Sequence, residues 1–393
     1  MLKRRIFKHI FIFSILLFSG KYHSQELVNI GIFYNSKISE VKILFQDNYS
    51  IQYEENGNLY QLKKNQIYLI KAINDSLVLF DNLNNQKIVS KKVYFYSPDI
   101  ENAQLTIITN QFKKERIYKG HLVVTANNGN LKMINTLNLD DYVCGVVNAE
   151  VGKGRHPEFY KAQALLVRTY ALSHLYKHLA EGFNLCDGVH CQVYYGICYS
   201  SVIADAVKQT QHQVIVDNDL NLIVAAFHSN SGGQTVNSED IWGSKKDYLR
   251  SVIDTFSVGM PSYSWKKTIP LSEWKSYLKK NKYPIDDSEA FRHATHLIQT
   301  SRLTHLQYRS HKIPLKNIRD DLKLMSTFFN IHLNATNDSV IFYGRGFGHG
   351  VGLSQEGAMK MAKLGYTYEQ IIRFYYQNVL LIDLRKLNFF KEE

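Results

Sequence analysis

No apolar run in this 393-residue sequence approaches the roughly 20 residues that a bilayer span requires, which excludes an integral membrane span. There is no internal repeat and no low-complexity tract. A helix-turn-helix or RNP-type signature is also missing, so the formal charge of +12 has no nucleic-acid motif to go with it. The Gly-x-Ser-x-Gly pattern of a nucleophile elbow is absent, which removes a serine-hydrolase reading of Ser231. Cysteine is scarce, at four residues, and a chain this long does not need disulfides to hold a core.

Composition is otherwise that of a globular protein, with 45% hydrophobic and 21% charged residues. The length suggests about two domains. The 26 tyrosines and 21 phenylalanines suit β-sheets first and sugar-binding grooves second. Lys3, Arg4, Arg5 and Lys8 precede an apolar stretch from Ile10 to Phe18, and small and polar residues follow. This pattern predicts a secretory signal peptide over residues 1–24, and hence an exported protein. A basic exported protein is drawn to anionic cell-wall polymers.

Residues 25–112 read as a β-rich accessory region, with runs such as Val28–Phe33, Val41–Phe45 and Val93–Tyr96 between Asn-rich turns. Residues 115–137 read as a hairpin about Asn127-Asn128-Gly129-Asn130. Pro157 opens a helix whose apolar spacing runs to Leu179, with Gly182 as its stop. Ser354, and Thr367 with Gln370, predict two helix starts near the end of the chain. The expected fold class is α+β, with mixed sheets and packed helices.

Glu150 lies among Val146, Val147, Ala149 and Val151. An apolar setting raises a carboxyl pKa and fits it to give a proton. A structural role, capping a helix or pairing with Arg168, fits the same context. Arg168 falls mid-helix, where a charge is either wet or paired. Cys186, His190 and Cys191 cluster after His174 and His178, and zinc favours four such N and S ligands. The set His178, Cys186, His190 and Cys191 would serve, with His174 able to replace His178. A disulfide from Cys186 to Cys191 or Cys198 is the rival, while Cys144 reads as a small buried hydrophobe. Glycines at 344, 346, 348, 350 and 352 surround His349, but their order rejects a dinucleotide fingerprint.

Five blocks in order carry a resemblance. They are Leu139–Tyr170, with Val-Val-Asn-Ala-Glu-Val and Lys-Ala-Gln-Ala-Leu-Leu-Val-Arg-Thr-Tyr; Cys191-Gln-Val-Tyr-Tyr-Gly196; Ser229-Asn-Ser-Gly-Gly-Gln-Thr235; Asp247-Tyr-Leu-Arg-Ser-Val252; and Gly344–Ala358. Residues 115–380 thereby resemble the SpoIID/LytB domain, which implies two lobes about a glycan cleft over residues 113–385. Members resembling SpoIID are lytic transglycosylases of peptidoglycan glycan strands, and members resembling LytB enhance a cell-wall amidase. The resemblance implies that Glu150 is the catalytic acid, producing 1,6-anhydro-muramyl ends. It implies that Arg168, Tyr248, Arg250, Ser231, His349 and Gln355 meet the glycan, although the family often has Lys where Arg250 stands. It also implies zinc held by two His and two Cys. A zinc hydrolase would need an open metal position with a nearby base, which four protein ligands do not leave.

Overall fold

The computed structural model describes residues 26–53, 57–80, 88–112 and 115–386; the expected signal peptide over residues 1–24 lies outside them. The fold is α+β. The first part of the chain supplies β1 (Leu27–Ile32), β2 (Glu40–Phe45), β3 (Ser50–Tyr53), β4 (Leu59–Gln61), β5 (Ile67–Ile73), β6 (Ser76–Phe80), β7 (Ile88–Ser90), β8 (Lys92–Tyr96), β9 (Gln104–Ile108), β10 (Arg116–Lys119), β11 (His121–Asn127) and β12 (Asn130–Asn138). After the first two helices comes β13 (Leu185–Cys186). These strands form two sheets, ordered β13-β1-β12-β11-β8-β3-β4 and β10-β9-β2-β5-β6-β7.

The expected boundary at residue 112 falls between β9 and β10, and strands on its two sides share both sheets. β1 pairs antiparallel with β12, Leu27 opposite Asn138, and parallel with β13. One hydrophobic cluster runs from Val28 to Leu384, so the N-terminal strands bury their faces in the same core as the helices that follow. The β11–β12 hairpin follows the sequence expectation. Asn128 and Gly129 both take positive φ, as a two-residue turn of this twist requires. Along β12 buried and half-buried residues alternate, the mark of a strand with one face on the core.

Nine helices are among the described residues. α1 (Leu139–Val151) starts where the Asn138 side chain accepts the Asp140 N–H, and Gly152 ends it. α2 (Pro157–Ser173) has Pro157 in its first turn and is buried on nearly every side. It stops earlier than the apolar spacing predicts. The Ser173 hydroxyl and the His174 imidazole both turn onto the Tyr170 carbonyl, at 3.0 and 2.9 Å, and compete with the next main-chain bond. α3 (Ser201–Gln209) packs against α1 and α2. α4 (Ser238–Trp242), α5 (Leu271–Lys280), α6 (Ser288–Thr295), α7 (Leu315–Asp321), α8 (Gln355–Lys363) and α9 (Tyr368–Tyr375) follow. The caps expected at Ser354 and at Thr367 with Gln370 are present.

A second hydrophobic cluster, from Ile269 to Phe342, forms a separate lobe. It is built on a three-stranded sheet of β14 (Ser264–Pro270), β16 (Ser339–Arg345) and β15 (Phe328–Leu333), in that order, with α5 and α6 packed on it and α7 against a separate two-stranded hairpin. Among the described residues no helix is long and apolar enough to cross a membrane.

Candidate functional site

Glu150 occupies the last turn of α1, a helix the sequence reading had not placed there. Tyr142, Val146 and Glu150 are four residues apart and share one face. The segment Gln192–Val193 lies along that face. The Tyr142 hydroxyl donates to Gln192 Oε1 at 3.3 Å, and the Val193 N–H donates to Glu150 Oε1 at 2.9 Å. Among the described residues nothing donates to Glu150 Oε2. Burial raises the Glu150 pKa, and the Val193 N–H pulls it partly back. The negative end of α1 acts in the same direction as burial. The side-chain nitrogen of Gln192 is buried with no partner among the described residues.

The segment that clamps Glu150 is itself threaded between α1 and the N-terminal sheets. A Cβ on Gly145 would stand 2.4 Å from the Gly196 carbonyl oxygen, and one on Gly196 would stand 2.1 Å from that of Ile117. Only bare backbone fits this crossing, and Gly196 also takes φ +103. The Ile197 N–H closes the contact on the Ile117 carbonyl at 2.8 Å. At the other end, Asp187 accepts the Phe33 and Tyr34 N–H groups at 2.7 and 3.2 Å and pairs with Arg116 at 3.0 Å. Sequence reasoning missed Asp187.

The same segment carries a candidate metal centre. Ligand atoms of His178, Cys186, His190 and Cys191 all lie within 4.8 Å of one another. Cys191 Sγ is 3.5 Å from His178 Nε2 and 3.9 Å from His190 Nδ1, and Cys186 Sγ is 3.8 Å from His190 Nδ1. Those are the edge lengths of a tetrahedron with metal–ligand bonds of about 2.0–2.3 Å. The cluster could therefore hold a metal ion. Its outer shell is also built. His178 Nδ1 bonds Glu181 Oε1 at 2.6 Å, which leaves Nε2 to face the sulfurs, and the Tyr34 hydroxyl donates to the same Glu181 oxygen. Neither Glu181 nor Tyr34 stood out in the sequence. His174 does not join the set. Because α2 ends at Ser173, His174 stacks on Tyr170 instead, with ring centroids 4.1 Å apart. All four cysteines stand as free thiols.

The glycine-rich run after β16 forms a second locality. Gly346, Gly348, Gly350 and Gly352 all take positive φ. A Cβ on Gly352 would lie 2.1 Å from the Ala226 carbonyl oxygen, so this loop presses directly on the neighbouring chain. His349 is half-buried, its ring 5.5 Å from His228 and 5.4 Å from Trp242. Burial, with the positive charge of Arg319 nearby, holds its imidazole down to about 4. Its Nδ1 accepts the Val351 N–H at 3.0 Å. Gln355 opens α8, and its amide nitrogen is buried without a partner among the described residues.

The other sequence candidates have their polar groups occupied within the protein. Ser231 is fully buried, donating to Asp254 at 2.8 Å with Ser257 at 2.7 Å, so it does not present its hydroxyl on an open wall. Tyr248 is buried, and its oxygen accepts the Val224 N–H at 2.9 Å. Arg250 forks onto Glu239 at 2.7 and 2.5 Å. Arg168 is 1% exposed; it pairs with Asp140 at 2.7 Å and donates to the carbonyls of Val207, Thr210 and Gln213. Its guanidinium thus has partners within the protein on both of its terminal nitrogens. No hydrogen bond or ion pair joins Glu150 to any of these side chains, or to His349 or Gln355, among the described residues.

Comparison with known proteins places this arrangement. Residues 127–216 match the family model of SpoIID, the stage II sporulation protein. The chain is 33% identical over 266 residues to stage II sporulation protein D of Bacillus subtilis (strain 168), covering 64% of this chain and 76% of that protein. It is 30% identical over 264 residues to stage II sporulation protein D of Bacillus amyloliquefaciens, covering 63% and 74%. It is also 27% identical over 286 residues to a protein named amidase enhancer from Bacillus subtilis (strain 168), covering 60% of this chain and 40% of that one.

Proposed function

We propose that this chain, which belongs to the SpoIID family, is an exported lytic transglycosylase that cleaves the glycan strands of peptidoglycan. The observation that carries this reading is the Glu150 carboxyl: half-buried, raised in pKa, tethered by one oxygen and free at the other. That is the state a single acid/base needs. Held by the Val193 N–H, protonated Glu150 gives its proton to the glycosidic oxygen as the C1–O bond breaks. The resulting carboxylate takes the proton from the muramyl 6-hydroxyl as that oxygen bonds to C1. The strand ends in a 1,6-anhydro ring, the acid is regenerated, and no water is consumed. A hydrolase would instead need a second carboxylate across the bond. In the glycine-rich locality we assign His349 and Gln355 to the glycan-facing wall, with the His349 ring fixed by the Val351 N–H and the Phe227 main chain.

Zinc is the ion we assign to His178, Cys186, His190 and Cys191, because two thiolates and two imidazoles suit it. When bound, it would supply a fixed tetrahedral crosslink. The protein's part is to hold residues 190–193 in place, and with them the N–H that orients Glu150.

The likeness to an amidase enhancer supports a second reading, a wall-binding protein that activates an amidase without cutting glycan. One experiment separates the two. Wild-type protein and Glu150→Gln are incubated with intact and denuded peptidoglycan, and sugar ends are read by mass spectrometry. We expect anhydro-muramyl ends from wild type alone. Release by neither, with equal stimulation of an N-acetylmuramoyl-L-alanine amidase by both, would refute the enzyme.

A further inference from the structure

The four cysteines fall into two pairs with different surroundings. Cys186 and Cys191 face two imidazoles and complete a metal-ligand set. Cys144, in α1, and Cys198, just before α3, flank the crossing at which Gly145 meets the Gly196 carbonyl, and each thiol shifts the other's ionisation. No third His, Cys, Asp or Glu ligand atom joins that second pair among the described residues, so a metal has nothing further to bind there. Cys144 is buried against the core and Cys198 is half-buried, within reach of a small reagent.

We propose that Cys144 and Cys198 are a disulfide-forming pair, which on oxidation pins the far end of the segment that holds Glu150 to the helix that carries Glu150. The geometry around the pair favours this. Gly145 and Gly196 already bring α1 and the segment into backbone contact one and two residues away from the two sulfurs. Val193, whose N–H clamps Glu150, lies between the metal ligand Cys191 and Cys198. The metal cluster fixes the start of this stretch, and the disulfide would fix its end.

The chemistry starts at Cys198. The Cys144 thiol, the Ser200 N–H at 3.4 Å and the nearby Lys153 ammonium hold Cys198 down to about 7, so it carries thiolate at neutral pH. That thiolate attacks one sulfur of a low-molecular-weight disulfide such as oxidised glutathione. A Cys198–glutathione bond forms and one glutathione thiolate leaves. Cys144 gives up its proton to solvent and attacks the Cys198 sulfur, expelling the second glutathione. Two protein thiols are oxidised and one glutathione disulfide is reduced to two thiols. The buried partner resolves the bond made by the accessible one, which sets the order of steps.

The test uses the full-length wild-type protein in a buffer of oxidised glutathione, followed by alkylation and non-reducing peptide mass mapping. The expected reading is one cross-linked peptide pair containing Cys144 and Cys198, two hydrogens lighter than the free peptides together. Amides of residues 192–197 should then exchange more slowly than in reduced protein. Cys144→Ser should instead accumulate a stable glutathione adduct on Cys198. The proposal is overturned if Cys144 and Cys198 both remain alkylated, if Cys198 is linked to Cys186 or Cys191, or if exchange over 192–197 is unchanged by the link. None of these readings depends on glycan cleavage.

Discussion

Replacing Arg168 with Met tests whether that residue holds the fold or the substrate. Its guanidinium joins three helices. It pairs with Asp140 in the first turn of α1, and it takes the carbonyls of Val207 and Thr210 at the end of α3, all from the middle of α2. Removing one partner of a buried ion pair costs about 3–5 kcal/mol, because the other is left uncompensated. Asp140 keeps 25% of its side-chain surface in water and can rehydrate, so the lower end applies. The freed carbonyls at the α3 terminus add back up to about 1 kcal/mol. Met preserves the apolar stem that Arg168 packs among its neighbours. The expected loss is therefore about 3–4 kcal/mol. In a urea titration the midpoint falls by about 1 M, at slopes near 3 kcal/mol per M, with the slope unchanged. Wild-type stability with a sharply raised KM for denuded glycan would refute this account and return Arg168 to the substrate.

Three further predictions follow from the site. Burial raises Glu150 and the reaction starts from its protonated form, so kcat/KM should decline as pH rises through a value above the ordinary ~4.3 of Glu. Folding favours the same protonated form, so its contribution to stability is present at low pH and lost as pH rises through that value; a pH–rate profile without a descending limb would remove Glu150 as the acid. Glu181→Gln leaves His178 without its carboxylate partner and should weaken metal affinity by about 10–100-fold in competition with a chromophoric chelator; unchanged affinity would show that Glu181 does not orient the ring. Gly196→Ala combines a strained φ with a Cβ driven into the Ile117 carbonyl, and should destabilise by at least ~3 kcal/mol in urea titration. Wild-type stability there would mean that the segment can leave α1 without penalty.

The parts of this fold legible in the sequence are those with local chemistry. Asn128-Gly129 specifies its own turn, and Ser354 and Thr367 cap helices through their own hydroxyls. α1 was not legible. Val143, Val146, Val147 and Val151 are β-branched, and the helix is buried on most sides, so no polar face reveals a helical period. The reading of α2 ran past its end because the apolar spacing continues after Ser173, while the stop is made by side chains competing for one carbonyl. The metal-ligand set could be named from residue types and spacing, but the partition of four cysteines into two pairs could not. It depends on the segment crossing α1 at Gly145, a contact between distant parts of the chain. Arg168, Tyr248, Arg250 and Ser231 sit within the motif blocks, yet a linear motif does not tell which way a side chain faces. Their partners lie inside the protein.

Strand β1 is where the chain starts its described path and also where its assembly must wait. The Asn29 N–H bonds the side chain of Asn184, 155 residues along, and the Phe33 and Tyr34 N–H groups hold Asp187 across a similar span. Cys186 is seated by pairing with Gly31 on β1. The candidate metal ligands are thus near neighbours in sequence, but the template that aligns them is made much earlier. Closing so long a loop is slow, and the cluster is not complete until it closes. A deletion or fusion that disturbs residues 27–34 would therefore read out as a failure to acquire metal, although no ligand had been touched.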